Sequence, residues 1–310
     1  MISEHVTEWL GLPVKLFDAE ASEDGIDDYA NTIYRLALDW DAEVDLPTLF
    51  SRFLANPASA QTPAIIIGQY HGDEPSMGSE EVVQLLVSAQ PKLPNLRGIF
   101  IGDMVTEENE VSWIVQSDVS PLLVAYPNLE HLRLRGTGEL SLGGRIKNDR
   151  LRSLTIETGG MPRRLFDEVR ASELPALESL ELWLGTEGYG GEVTLEDLKP
   201  LLTGNLFPAL KHLGLRDSEI VDGIAAALKT APIVARLDSL DLSLGTLSDE
   251  GGQALLDNPA LKRLKQLNLH HHYLSEKMMA ALKREFRNVN VDDPQGDDTD
   301  EDDRYVAVGE

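Results

Sequence analysis

The apolar positions of this chain fall into one repeated phrase, Leu-x-x-Leu-x-Leu. It stands at Leu129-Leu132-Leu134, Leu151-Leu154-Ile156, Leu177-Leu180-Leu182, Leu210-Leu213-Leu215, Leu237-Leu240-Leu242 and Leu264-Leu267-Leu269, with a weaker copy at Leu96-Ile99-Ile101. Successive copies begin 33, 22, 26, 33, 27 and 27 residues apart. The last two apolar residues of each copy are two apart, the period of one face of a β-strand. A further apolar group follows the later copies, at Ile220, Leu247 and Leu274. Ser218, Gly245 and His272 take the place where such repeats usually carry Asn, so the side-chain ladder to the turn backbone is expected to be partial.

Between the phrases the apolar period becomes helical. Met161 to Val169, Leu195 to Leu202, Ile224 to Leu228, Glu250 to Leu256 and Ser275 to Phe286 read as helices, with Ser248 and Ser275 as N-caps and Pro232 and Pro259 as stops. One strand and one helix per unit of about 27 residues predicts an α/β leucine-rich repeat solenoid, with a parallel concave sheet and helices on the convex face. The N-terminal third is less regular. Thr32 to Leu38 and Ala64 to Ile67 suit strands; Leu46 to Leu54 and Glu80 to Ala89 suit helices. The expected organisation is a cap with degenerate repeats over 1–95, regular repeats over 96–291, an acidic linker over 292–303 and a strand-like tail over 304–310.

Charge narrows the partners. The net charge is −26, and eight of the 12 residues from Asp292 to Asp303 are acidic. A chain this acidic lacks the basic footprint that phosphate backbones require, so neither nucleic acid nor an anionic membrane is the expected partner. The acidic run reads as a solvated, disordered linker; its spacing does not fit a calcium loop. Arg304 to Val308 either docks on the body or serves as a linear motif. The chain has no cysteine, where extracellular repeat proteins usually seal their ends with disulfides. No basic, apolar leader precedes Glu4 and Glu8, and no run reaches the ~18 apolar residues of a membrane span. A cytoplasmic protein is expected.

The outward strand positions are Phe100, His131, Arg133, Arg135, Ser153, Thr155, Glu157, Glu181, Trp183, His212, Arg216, Asp241, Ser243, Asn268 and His270. Trp183, between Leu182 and Leu184, is expected on the open face as a partner anchor; alternatively the 186–192 loop covers it. Arg133, Arg135 and Arg216 could read a partner's carboxylates or neutralise Glu157, Glu181 and Asp241 across the ladder. Long Gly-rich loops leave one end of the strands: Gly68 to Glu74, Gly102 to Trp113, Gly136-Thr-Gly, Glu157-Thr-Gly-Gly and Gly185 to Gly191. They gather Tyr70, His71, Asp73, Asp103, Trp113 and Tyr189 on one rim, a candidate binding surface, although left-handed turns alone would also demand the glycines.

His270-His271-His272 has no second ligand cluster, so His272 is read as a turn residue and no metal or other cofactor is expected. No phosphate-binding, zinc-protease, serine-hydrolase or dinucleotide motif occurs. The chain is therefore read as a protein-interaction scaffold without catalysis, with Trp183, Arg133, Arg135, Arg216, Tyr189, Trp113, Tyr70 and His71 as partner-binding residues. The alternative is a small-molecule sensor or enzyme with a pocket at the loop rim.

Gly102-Asp103-Met104, Ser112-Trp113-Ile114, Glu157-Thr158-Gly159-Gly160, Leu182-Trp183-Leu184-Gly185-Thr186, Tyr189-Gly190-Gly191 and Arg304 to Glu310 also carry a resemblance. They look like a bacterial family of cytoplasmic leucine-rich-repeat proteins with ribonuclease-inhibitor-like repeats. The resemblance covers nearly the whole chain, implies the solenoid and brings no catalytic residue with it.

Overall fold

A computed structural model describes residues 2–17, 28–39, 41–72, 74, 76–296 and 303–309. Fourteen strands occur among them: β1 Glu8–Trp9, β2 Leu12–Leu16, β3 Ile33–Leu36, β4 Ala64–Ile67, β5 Gly98–Ile101, β6 Val115–Asp118, β7 His131–Arg135, β8 Thr137–Ser141, β9 Ser153–Glu157, β10 Ser179–Gly185, β11 His212–Ser218, β12 Ser239–Asp241, β13 Gln266–Asn268 and β14 Val289–Asn290. Eight α-helices accompany them: α1 Leu46–Phe53, α2 Glu80–Ala89, α3 Ser120–Ala125, α4 Arg163–Ala171, α5 Leu195–Leu202, α6 Val221–Leu228, α7 Asp249–Leu256 and α8 Glu276–Glu285.

The fold is mixed α/β. Twelve strands form one sheet in chain order, interrupted only because β6 and β8 leave it to pair in parallel with each other. Every pair in the large sheet is parallel except β1 with β2. The repeated phrases set the register: Leu132, Leu154, Leu180, Leu213, Leu240 and Leu267 stand opposite one another from β7 to β13. These leucines point to the helix side. They share one continuous core with Leu165, Leu198, Ile224, Leu255 and Leu282 from α4 to α8. Burying one such side chain contributes roughly 1.5–3 kcal/mol, so no single unit suffices and stacking does the work.

Caps fix the helix ends as their residue types require. Asp45 Oδ1 accepts the Thr48 amide at 2.9 Å, and Thr194 with Asp197 forms a reciprocal capping box at α5. Ser218 Oγ accepts the Ile220 amide at 3.2 Å, and His272 Nδ1 accepts the Leu274 amide at 3.1 Å. Two of the three substituted turn positions thus keep the side-chain ladder.

The remaining differences from expectation are local. α4 begins at Arg163 because Pro162 occupies the position before it, and α6 begins three residues before Ile224. Of the expected loop Gly136-Thr-Gly, Thr137 and Gly138 open β8. The sequence pattern did not predict the β6–β8 pair or the β1–β2 hairpin. Asp73, Glu310 and residues 297–302 of the acidic run lie outside the described residues. Among the described residues, no helix is long and apolar enough to cross a membrane.

Candidate functional site

The sheet face turned away from the helices was the expected partner surface; it is covered over β3 to β5 and at Trp183, while His131, Ser153, Thr155, His212 and Asn268 are partly exposed. Over β3 to β5 it is apolar except for Arg35: Ile33, Ala64, Ile66 and Phe100 are buried beneath Val6, Trp9, Leu12 and Val14. Phe100 is fully covered, its ring 6.2 Å from that of Trp9 in an edge-on contact. The expected outward position is correct in alternation, but the N-terminal residues lie across it.

Beyond β5 the face is ionic and paired internally. Glu157 is fully buried; one oxygen accepts Arg133 Nε at 2.6 Å and the other Arg135 Nε at 2.6 Å. Burial pushes the Glu157 carboxyl up, but the two guanidinium groups outweigh it and hold the group below the usual carboxylate range. Arg133 also covers the Phe100 ring at 4.4 Å. Arg135 extends the network to the Met104 carbonyl at 2.7 Å and to Asp103 at 3.6 Å. Arg35 reaches Asp103 at 3.3 Å and Glu108 at 3.2 Å, and His5 bonds Glu108 at 2.8 Å. Burial raises the Asp103 carboxyl even with Arg135 and Arg35 beside it. On the next strands, Arg216 Nη1 donates to Glu181 at 2.7 Å, and Arg216 Nε lies 3.5 Å from Asp241. All three arginines proposed as charge readers pair with the protein's own carboxylates, which is the second of the two readings given for them, neutralisation across the ladder.

Trp183 is a correction to the expected open-face anchor. It is 5% exposed and packs with Val111 and Val308, with Ile2, Leu244 and Ala307 around them. Its Nε1 donates to Glu181 Oε1 at 3.1 Å. The covering residues come from the C-terminal segment, from Val111 and from Ile2, not from the 186–192 loop.

The C-terminal segment crosses the ends of four strands. Tyr305 N donates to Tyr273 Oη at 3.0 Å, Ala307 N to the Leu244 carbonyl at 2.8 Å and Val308 N to Asp217 Oδ1 at 3.0 Å. Ser112 Oγ donates to the Gly309 carbonyl at 3.1 Å. Of the two readings of Arg304 to Val308, docking is observed. Asp217 beneath it is fully buried and left-handed, at φ 51°, and its Oδ2 has no hydrogen-bond partner among the described residues. Burial pushes its carboxyl well above the usual range.

The loop rim is real as a gathering of loops, but its residues differ in role. Tyr70 is buried and donates to the Val115 carbonyl at 2.6 Å; burial raises its phenol. His71 is buried against the Gly72 carbonyl and Asn109, and burial lowers its imidazole. Both act as internal ties rather than presented groups. Tyr189 is half-buried, its ring edge beside Gly309. Trp113 is 62% exposed in a short 3-10 turn, Val111–Trp113. Of the eight expected contact residues, it alone presents a large apolar surface.

The glycines of the two richest loops have a packing cause. Gly160 and Gly185 form a backbone bridge, and a Cβ on Gly185 would overlap the Gly159 carbonyl. Beside the rim a cleft of about 520 Å³ is lined by Tyr70, His71, Met77 and the acids Asp39, Asp41 and Glu74. His272 is buried, its Nε2 donating to the Val291 carbonyl at 3.1 Å, as suits a turn residue. Among the described residues no three His, Cys, Asp or Glu side chains converge as a metal ion would require.

No protein-family model matches the chain. No curated protein matches it either. It is similar to a protein from Bacteroides fragilis whose crystal structure has been determined, with 32% sequence identity and a TM-score of 0.81. The match covers 89% of this chain and 77% of the other.

Proposed function

The chain belongs to the family of that Bacteroides fragilis protein, and from its own surface we propose that it is a protein-interaction scaffold. In this reading the fold is a leucine-rich repeat solenoid of the ribonuclease-inhibitor kind, cytoplasmic, and without catalysis. The chain-order parallel sheet and the repeated phrase support the fold. The absence of cysteine supports the compartment. The acidity favours a protein or peptide over nucleic acid or membrane.

The partner surface is the rim, with Trp113 as anchor. The single observation behind this is the contrast in exposure: Trp183 is 5% exposed and Trp113 is 62% exposed. An aromatic side chain held by a short turn gives a large contact area with little entropy to lose. The experiment is co-purification from the native cell with wild type, Trp113→Ala and the control Val124→Ala, which removes another exposed apolar group. Loss of about 2 kcal/mol of affinity is expected for Trp113→Ala alone. Equal recovery in all three removes the rim assignment.

The second reading is a small-molecule sensor or enzyme that uses the cleft beside Tyr70 and His71. A thermal-shift screen with cationic metabolites tests it, because the lining is acidic. No stabilisation across the screen removes it.

A further inference from the structure

The docked C-terminal segment has the attributes of a bound peptide. It lies across β10 to β13 with a turn at Ala307 and Val308. Most of its polar contacts use its own backbone, the amides of Tyr305, Ala307 and Val308 and the carbonyls of Tyr305 and Gly309, while the Tyr305 hydroxyl donates to Gln295 at 3.4 Å. The backbone contacts are indifferent to side-chain identity. Selectivity comes from which side chains the groove buries. Val306 and Val308 are 5% and 4% exposed, whereas Tyr305 is 60% exposed. Two buried valines separated by one residue, with an outward aromatic before them, define the pattern.

The groove beneath carries a second, independent mark. Asp217 is fully buried, its Oδ1 holds the Val308 amide, and its Oδ2 has no hydrogen-bond partner among the described residues. An amide at this position would hold the Val308 N–H equally well without burying an ionisable group, and a buried polar atom left without a partner is the kind of local violation expected at a functional site.

We propose that this groove is a peptide-binding site occupied by the chain's own tail, and that a partner segment with the same aromatic-Val-small-Val pattern takes the tail's place. The proposal rests on the rim being the partner surface and adds the chemistry of the partner. A tethered occupant acts as an internal competitor, so only a partner presented at high local concentration engages.

The probe is a labelled peptide of sequence Arg-Tyr-Val-Ala-Val-Gly-Glu, with a scrambled peptide as control. It is titrated against the wild-type chain and against the full-length double variant Val306→Asp/Val308→Asp, in which the tail is unseated. Saturable binding to the variant is expected, with apparent affinity for wild type roughly ten- to a hundredfold weaker because of the tethered tail. Hydrogen exchange on the wild type is read alongside. The Ala307 and Val308 amides should exchange at least about a hundredfold faster than those of Leu180 and Leu213, as for a segment that opens without global unfolding. A folded variant that ignores the peptide, or binds the scrambled one equally, overturns the proposal. So do tail amides that exchange only with the core, which would make the tail a fixed clip; that readout needs no variant to fold. Failure here with a positive Trp113 result removes the peptide site and leaves the scaffold reading in place.

Discussion

The Arg216 guanidinium carbon lies over the Trp183 ring, 5.1 Å from its centre. The ring is thus packed by this cation together with Val111 and Val308. Trp183→Ala is therefore a stability variant. Removing a buried Trp should cost about 3–5 kcal/mol and unseat the tail, because Val308 loses its packing surface. Urea unfolding with a tail-attached fluorophore checks both. An unchanged midpoint would contradict the burial argument.

Glu157 predicts a sharper electrostatic result. Glu157→Ala leaves Arg133 and Arg135 facing each other across an empty buried site, and breaking a buried pair in this way costs about 3–5 kcal/mol. The pH dependence follows from the depressed carboxyl. Its contribution is fully present above the unfolded value of about 4.3 and is lost as pH falls through the lower folded value. Wild type should lose this stability in acid, and the Glu157→Ala curve should lack that step. Denaturant midpoints from pH 7 down to 3 measure it.

Asp217 has the opposite sign. Burial raises its folded value, with Arg216 and Glu219 as charged neighbours, so folding favours the protonated form. Stability attributable to it is highest below the unfolded value of about 3.9 and is lost as pH rises through the raised folded value. Asp217→Asn keeps an acceptor for the Val308 amide and removes the ionisation. It should therefore raise the melting temperature at neutral pH and leave it nearly unchanged in acid. A uniform drop at every pH would show that the carboxylate itself is needed.

His272 supports two backbone partners, the Leu274 amide and the Val291 carbonyl. His272→Ala leaves both unpaired in a buried turn, for about 1–3 kcal/mol each at most. Burial depresses its imidazole, so its contribution is present above the unfolded value of about 6.5 and falls away as pH drops below that. Comparing wild type with His272→Asn by thermal melts at pH 7.5 and 5.5 isolates the effect. Asn can accept the amide without titrating, so its melt should shift less.

The repeated leucines told almost everything about the sheet, because one side of each strand is an apolar surface with a fixed period. Ile99, Leu132, Leu154 and Leu180 pair as read. The other face was legible in alternation but not in exposure. Nothing local to Trp183 indicates that Val308, 125 positions later, lies on it. Phe100 likewise is covered by residues 6–14, far away in sequence. Long-range coverage leaves no periodic trace. One signal was available: Val306 and Val308 alternate with Tyr305 and Ala307 directly after an acidic run, an odd place for apolar residues unless they dock. Ion pairing was half legible, since Arg133, Glu157, Glu181, Arg216 and Asp241 could be placed on one face, but only geometry assigns the partners.

The sheet is laid down in the order in which the chain is made, each strand meeting its predecessor within a few tens of residues. The tail breaks that locality: Val308 bonds a carboxyl 91 residues back and Gly309 a hydroxyl 197 residues back. These contacts can form only after β10 to β13 and the turn at Ser112 are all in place. During synthesis the segment can therefore seat only on strands already formed, and its seating reports that β10 to β13 are assembled.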